Sequence, residues 1–186
     1  MATGRQDLSR YSKGAITLHW LMAVMVIGNL AGGFLHDYVP REGGQRAFVM
    51  GLHVSFGLTL IALTLARFGW RLANPPPALP HYFTRGERVL AKGGHWAFYA
   101  AMLALPLTGW AMADRNDRPL EYFFAVAVPK WGLAKPLAQT LNEVHEILGW
   151  TMLALLALHI LAIIKHLVLD RDNLLPRMGI GRHRGA

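Results

Sequence analysis

Four long apolar runs constrain this chain more than any other feature. The first, residues 15–35, is 21 residues with His19 as its only ionisable side chain. At roughly 1.5 Å per residue it covers about 31 Å, close to the thickness of a bilayer's hydrocarbon core. The second, about 47–68, holds His53 and, at its far end, Arg67. The third, about 89–113, contains Lys92 near its start and then His95. The fourth, about 141–167, carries Glu143, His145 and Glu146 at one end and His159, Lys165 and His166 further on. We expect an all-α integral-membrane four-helix bundle, with residues 1–186 forming one transmembrane domain. Only 16% of the residues are Asp, Glu, Lys or Arg, against about a quarter in soluble domains. There is no cysteine, which excludes disulfides, thiolate zinc sites, iron–sulfur ligation and thioether-bound haem.

Charge gives the orientation. Arg5, Arg10 and Lys13 precede the first run; Arg67, Arg71, Arg85, Arg88 and Lys92 surround the second connection; Lys165, Arg171, Arg177, Arg182 and Arg184 follow or end the fourth run. Those thirteen face six on the other side: Arg41, Arg46, Arg115, Arg118, Lys130 and Lys135. The larger count marks the cytoplasmic face, so both termini are expected on the inner side of the membrane. The net charge of +8 is then a topology signal, and nucleic acid is not an expected partner; membrane lipid is. The first run is longer than a signal peptide's apolar core and lacks a clean cleavage site, so it reads as a retained anchor.

The connections are legible in outline. Pro75, Pro76, Pro77 and Pro80 require an extended inner loop over 74–81, because proline lacks the helical donor. The longer outer loop, 114–140, holds an apolar stretch, 122–128, expected along the membrane interface, with Trp131 as an anchor. Pro106 is expected to kink the third span.

Nine histidines are present, and their depth is the main functional clue. His36, His81 and His183 sit at span ends, in a loop or in the tail. His19, His53, His95, His145 and His159 lie at membrane depth, with His166 at the boundary. A lone buried histidine is usually a hydrogen-bonded core residue; five in four helices point to function. His145 and His159 are fourteen residues apart, about 40° short of four full turns, so both rings share a face about 21 Å apart along the axis. They cannot share one metal ion. Topology places His53 near the depth of His145, and both His19 and His95 near that of His159. Zinc wants four ligands, which neither level offers. Haem wants two axial nitrogens in an apolar slot, with small residues such as Gly57, Gly149, Ala15 and Ala23 beside it. Two bis-histidine haems, stacked through the membrane, make a one-electron wire.

The chain also resembles the prokaryotic cytochrome b561 family along nearly its whole length. The matching residues are His19-Trp20; His53-Val54-Ser55-Phe56-Gly57; Gly94-His95; and Leu105-Pro106-Leu107-Thr108-Gly109. His145-Glu146, His159, Asp172-Asn173 and Arg177-Met178 complete the series. The resemblance implies two haem b groups and ubiquinone chemistry, with ligands from spans one, two and four. It therefore favours His19 over His95, giving His19–His159 inside and His53–His145 outside. It implies superoxide oxidase activity, in which superoxide outside gives an electron that reaches ubiquinone, and it makes His95 and His166 candidates for proton delivery to the quinone. The alternative is a non-enzymatic cytochrome b subunit serving a dehydrogenase or a periplasmic redox protein. A third reading, a histidine-lined metal or proton transporter, fits less well, because the histidines occupy two paired levels and form no continuous path.

Overall fold

The computed structural model describes residues 10–181, so Arg5, Asp7, Arg182, His183 and Arg184 lie outside the described residues. Each apolar run forms a helix, and each helix begins two to six residues before its run. Helix α1 is Lys13–Leu35, and Ser12 Oγ accepts the Ala15 N–H at its start. Helix α2, Gln45–Ala73, follows Gly44 in a left-handed conformation. Helix α3, Arg85–Ala111, opens on a capping box: Thr84 Oγ1 accepts the Glu87 N–H, and the Glu87 carboxylate accepts the Thr84 N–H. It runs through Pro106 as one helix. Helix α4, Lys135–Ile164, has Pro136 in its first turn, where a missing donor costs nothing. A π-helical turn, Lys165–Leu169, prolongs it.

The helices pack in chain order, α1 on α2, α2 on α3 and α3 on α4. Side chains close the ring between α1 and α4, where Phe34 meets Trp150 at 4.6 Å and His19 meets His159. Met22, Leu60, Ala101 and Met152 are buried inside. Ser55 and Thr64 are also fully buried, and their hydroxyls return to Gly51 O and Leu60 O one turn back. Outward, Leu21, Val24 and Ile27 on α1 and Leu153, Leu158 and Leu161 on α4 are exposed. Lipid, unlike water, accepts such faces, and all four helices are long and apolar enough to span it.

Both described chain ends lie at one end of the bundle. Tyr11 N–H donates to Arg177 O, Trp20 Nε1 donates to Met178 O, and the buried Arg177 donates to Ala78 O in the proline loop. We call this the inner end, following the charge count. At the outer end the 122–128 stretch forms a hairpin. Strands β1 (Glu121–Tyr122) and β2 (Val126–Ala127) pair antiparallel. Their connection turns through Phe123 and Phe124 at φ 47° and 61°, a region that costs bulky residues free energy. Contacts to α2 hold it there. Phe123 N–H donates to Ser55 Oγ at 2.8 Å, Tyr122 Oη meets Thr59 Oγ1 at 3.0 Å, and Phe124 stacks on Phe48. The hairpin therefore hangs down the side of α2. Trp131 is half-exposed and packs edge-on against Trp110, in keeping with an interfacial position.

Candidate functional site

At the outer level the structure brings His53 of α2 and His145 of α4 together across the bundle, with ring centres 6.1 Å apart and planes at 84°. The other two helices orient them. His53 Nδ1 donates to Asn29 O of α1 at 3.0 Å, and His145 Nδ1 donates to Leu105 O of α3 at 2.9 Å, with Thr108 Oγ1 at 3.3 Å. In each case the residue four positions beyond the carbonyl is a glycine. A Cβ on Gly33 would stand 2.9 Å from His53 Cε1, and one on Gly109 would stand 2.9 Å from His145 Cε1. Only a bare backbone lets the rings reach those carbonyls.

At the inner level the ring facing His159 of α4 is His19 of α1, with centres 6.3 Å apart and planes at 63°. Phe98 packs edge-on against His159, and the Arg67 guanidinium donates to His19 Nδ1 at 3.4 Å. His95 lies within charge range of His19, His159, Arg67 and Arg71, and among the described residues it forms no ring pair.

These pairs fit a haem. Imidazole nitrogen binds a first-row metal at roughly 2.0–2.1 Å and lies about 1.1 Å from its ring centre, so two rings flanking one ion stand about 6.2 Å apart. Both observed spacings match that value. At the outer pair the Nδ1 protons are committed to carbonyls, which leaves Nε2 as the basic nitrogen on each ring. Asn29 Oδ1 is buried without a hydrogen-bond partner among the described residues, and its Nδ2 lies beside Gly57. Cβ atoms on Gly57 and Gly149 would meet protein only at 3.7 Å or beyond. The space beside Gly57 and Gly149 is thus open, whereas Gly33 and Gly109 lie in contact with the rings.

His166 sits two turns beyond His159, at the inner end. Its ring stacks on Phe83 at 4.9 Å, and its Nδ1 lies 2.7 Å from Asp170. Lys165 bridges Asp170 at 2.8 Å and Glu87 at 2.5 Å. Nearby, Tyr82 donates to Asp172. Burial and that bond hold its phenol above the ordinary tyrosine range. These residues line a cleft of about 490 Å³.

Sequence reasoning missed Asn29, Gly33, Thr108, Tyr82, Glu87 and the contact of Arg67 with His19. One signal was available: Thr84 followed by Glu87 is a capping box written in the sequence.

The model of the family described as prokaryotic cytochrome b561 matches residues 10–181. "Cytochrome b561 homolog 2" of Escherichia coli (strain K12) is 31% identical over 172 residues, 91% of this chain and 90% of that relative. "Probable superoxide oxidase CybB" of Yersinia pestis is 29% identical over 170 residues, 91% of this chain and 95% of that relative. A family match spanning both histidine pairs and the inner cleft leaves one assignment: the chain belongs to the prokaryotic cytochrome b561 family.

Proposed function

We propose that the chain moves electrons through two haem b groups from superoxide at the outer end to ubiquinone at the inner end of a bacterial inner membrane. The family makes it a multi-pass bacterial membrane protein that binds haem b and transfers electrons. The two-centre reading is carried by one observation, the 6.1 and 6.3 Å spacing of two separate ring pairs. His53 with His145, and His19 with His159, are the residues that would hold a haem iron at each level. Haem b, when bound, supplies one reversible one-electron couple. With two imidazoles committed to it, each centre would be closed to small ligands and confined to electron exchange.

The outer end supports an anionic donor. Lys130 donates to Asn116 O, Lys135 pairs with Asp117, and Arg115 donates to Asn142. Four cations, Arg118 included, thus gather on the 114–118 turn, against Asp114 and Asp117. Arg115 lies within charge range of His145. Such a patch steers anions, and a relative is named a probable superoxide oxidase. At the inner end the 490 Å³ cleft is within the usual range for a small-molecule site. His166, on Asp170, is assigned proton delivery to the quinone there, and His95 the same role deeper in.

A second reading, an electron-carrier subunit for a dehydrogenase or a periplasmic redox protein, is favoured by the outer side as a whole, helix ends included, where seven acids face six bases. One assay separates the two. Purified protein given superoxide and ubiquinone should form ubiquinol with no other protein present; reduction that requires a second protein gives the carrier reading. A pyridine haemochrome assay should return two haems b per chain, and one per chain overturns the two-centre arrangement.

A further inference from the structure

The two ring pairs share a spacing but not a surrounding. At the outer pair both Nδ1 atoms give their protons to backbone carbonyls. At the inner pair His19 Nδ1 faces the Arg67 guanidinium at 3.4 Å. A carbonyl only accepts and a guanidinium only donates, so the two surroundings act on a ring in opposite senses. A carbonyl draws the Nδ1 proton away and makes the other nitrogen more basic, which favours the oxidised form of an iron bound there. A fixed cation opposes that added positive charge and favours the reduced form.

Arg67 reaches the whole inner level. It is within charge range of His159 and His95 as well as His19, and Arg71 faces His95. Among the described residues no carboxylate forms an ion pair with Arg67 or Arg71. An iron on His19 Nε2 puts the ring proton on Nδ1, where Arg67 then finds no acceptor. The guanidinium must turn to another anion, and haem b brings two carboxylates of its own. In either position its charge stays beside the inner couple. The cation in range of the outer pair, Arg115, is held by Asn142 at 2.6 Å and touches neither ring.

We propose that Arg67 makes the inner iron the stronger electron acceptor of the two, so that an electron arriving at the outer pair runs downhill to the inner one. This rests on the two-haem reading and gives its outer-to-inner direction a driving force. One electron leaves ferrous iron at the outer pair and is taken up by ferric iron at the inner pair. In that step no bond forms or breaks and no proton moves.

The test is a spectroelectrochemical titration of the purified, haem-loaded protein. Wild type should show two waves, and His53→Ala, which removes the outer centre, should abolish the lower one. Arg67→Gln should lower the upper wave by about tenfold in equilibrium constant, about 59 mV for one electron, and leave the lower wave in place. Arg67→Lys should keep most of the wild-type separation. Arg71→Gln, which has no contact with His19, should lower the same wave by less, and it serves as the test if Arg67→Gln loses haem. Two waves that no arginine change moves, or loss of the upper wave in His53→Ala, overturn this proposal alone. A single wave from one haem per chain overturns the two-haem reading as well.

Discussion

Carbon atoms do not pack at 2.9 Å, so a side chain at Gly109 pushes the His145 ring off Leu105 O, and one at Gly33 does the same to His53 and Asn29 O. Helix backbone cannot yield, and the ring must. Gly109→Val and Gly33→Val should each lower haem content from two per chain to one while the inner centre keeps its spectrum, as read by haemochrome and low-temperature absorption. The ligand changes should behave as pairs. His53→Ala or His145→Ala removes the outer haem, His19→Ala or His159→Ala removes the inner, and His95→Ala removes neither. Loss of a haem in His95→Ala with none lost in His19→Ala reverses the inner assignment. Tyr82 offers a pH test at the same scale. Its folded-state pKa lies above the unfolded value, so the native state holds this proton longer as pH rises. Its contribution to stability is complete below the ordinary tyrosine range and is lost as pH climbs through the raised value. A difference titration of wild type against Tyr82→Phe at the phenolate band should show a phenol that ionises above the ordinary tyrosine range.

The outer hairpin shows how one element depends on another. Ser55 Oγ gives its own proton to Gly51 O and accepts the Phe123 N–H, so it supplies the one acceptor that a turn lying against a membrane helix needs. Ser55→Ala leaves that N–H unpaired, at a cost of about 1–3 kcal/mol. The melting temperature in detergent should fall, and Ser55→Thr, which keeps the oxygen, should restore part of it. The hairpin was not legible in the sequence. Its connecting residues are two phenylalanines where glycine or asparagine is the usual turn signal, and contacts to α2, among them Phe48, Ser55, Phe56 and Thr59, offset the strain of their backbone. The four spans were legible because lipid imposes a length and an apolarity. Their true ends at Lys13, Arg85 and Lys135 were not, since a hydropathy run ends with the hydrocarbon and a helix ends with its cap. The shared face of His145 and His159 follows from spacing within one helix. The carbonyls of Asn29 and Leu105 depend on the register between helices, which no single-helix period encodes.

For the molecule as a whole, orientation carries the functional reading, because it decides which pair meets the outer donor. The chain has no cysteine, so single replacements report sidedness against a clean background. In intact spheroplasts a membrane-impermeant maleimide should label Arg118→Cys, and should label Arg85→Cys only after permeabilisation. The reverse result inverts the wire. The way the ring pairs are shared among helices has a further consequence. Both pairs take one member from α4, the last of the four helices to leave the ribosome. A nascent chain with only α1, α2 and α3 inserted completes neither of the two ring pairs. If the pairs hold haem as proposed, porphyrin capture at either level would wait for α4 to be inserted, and the apoprotein would precede the haem protein in the bilayer.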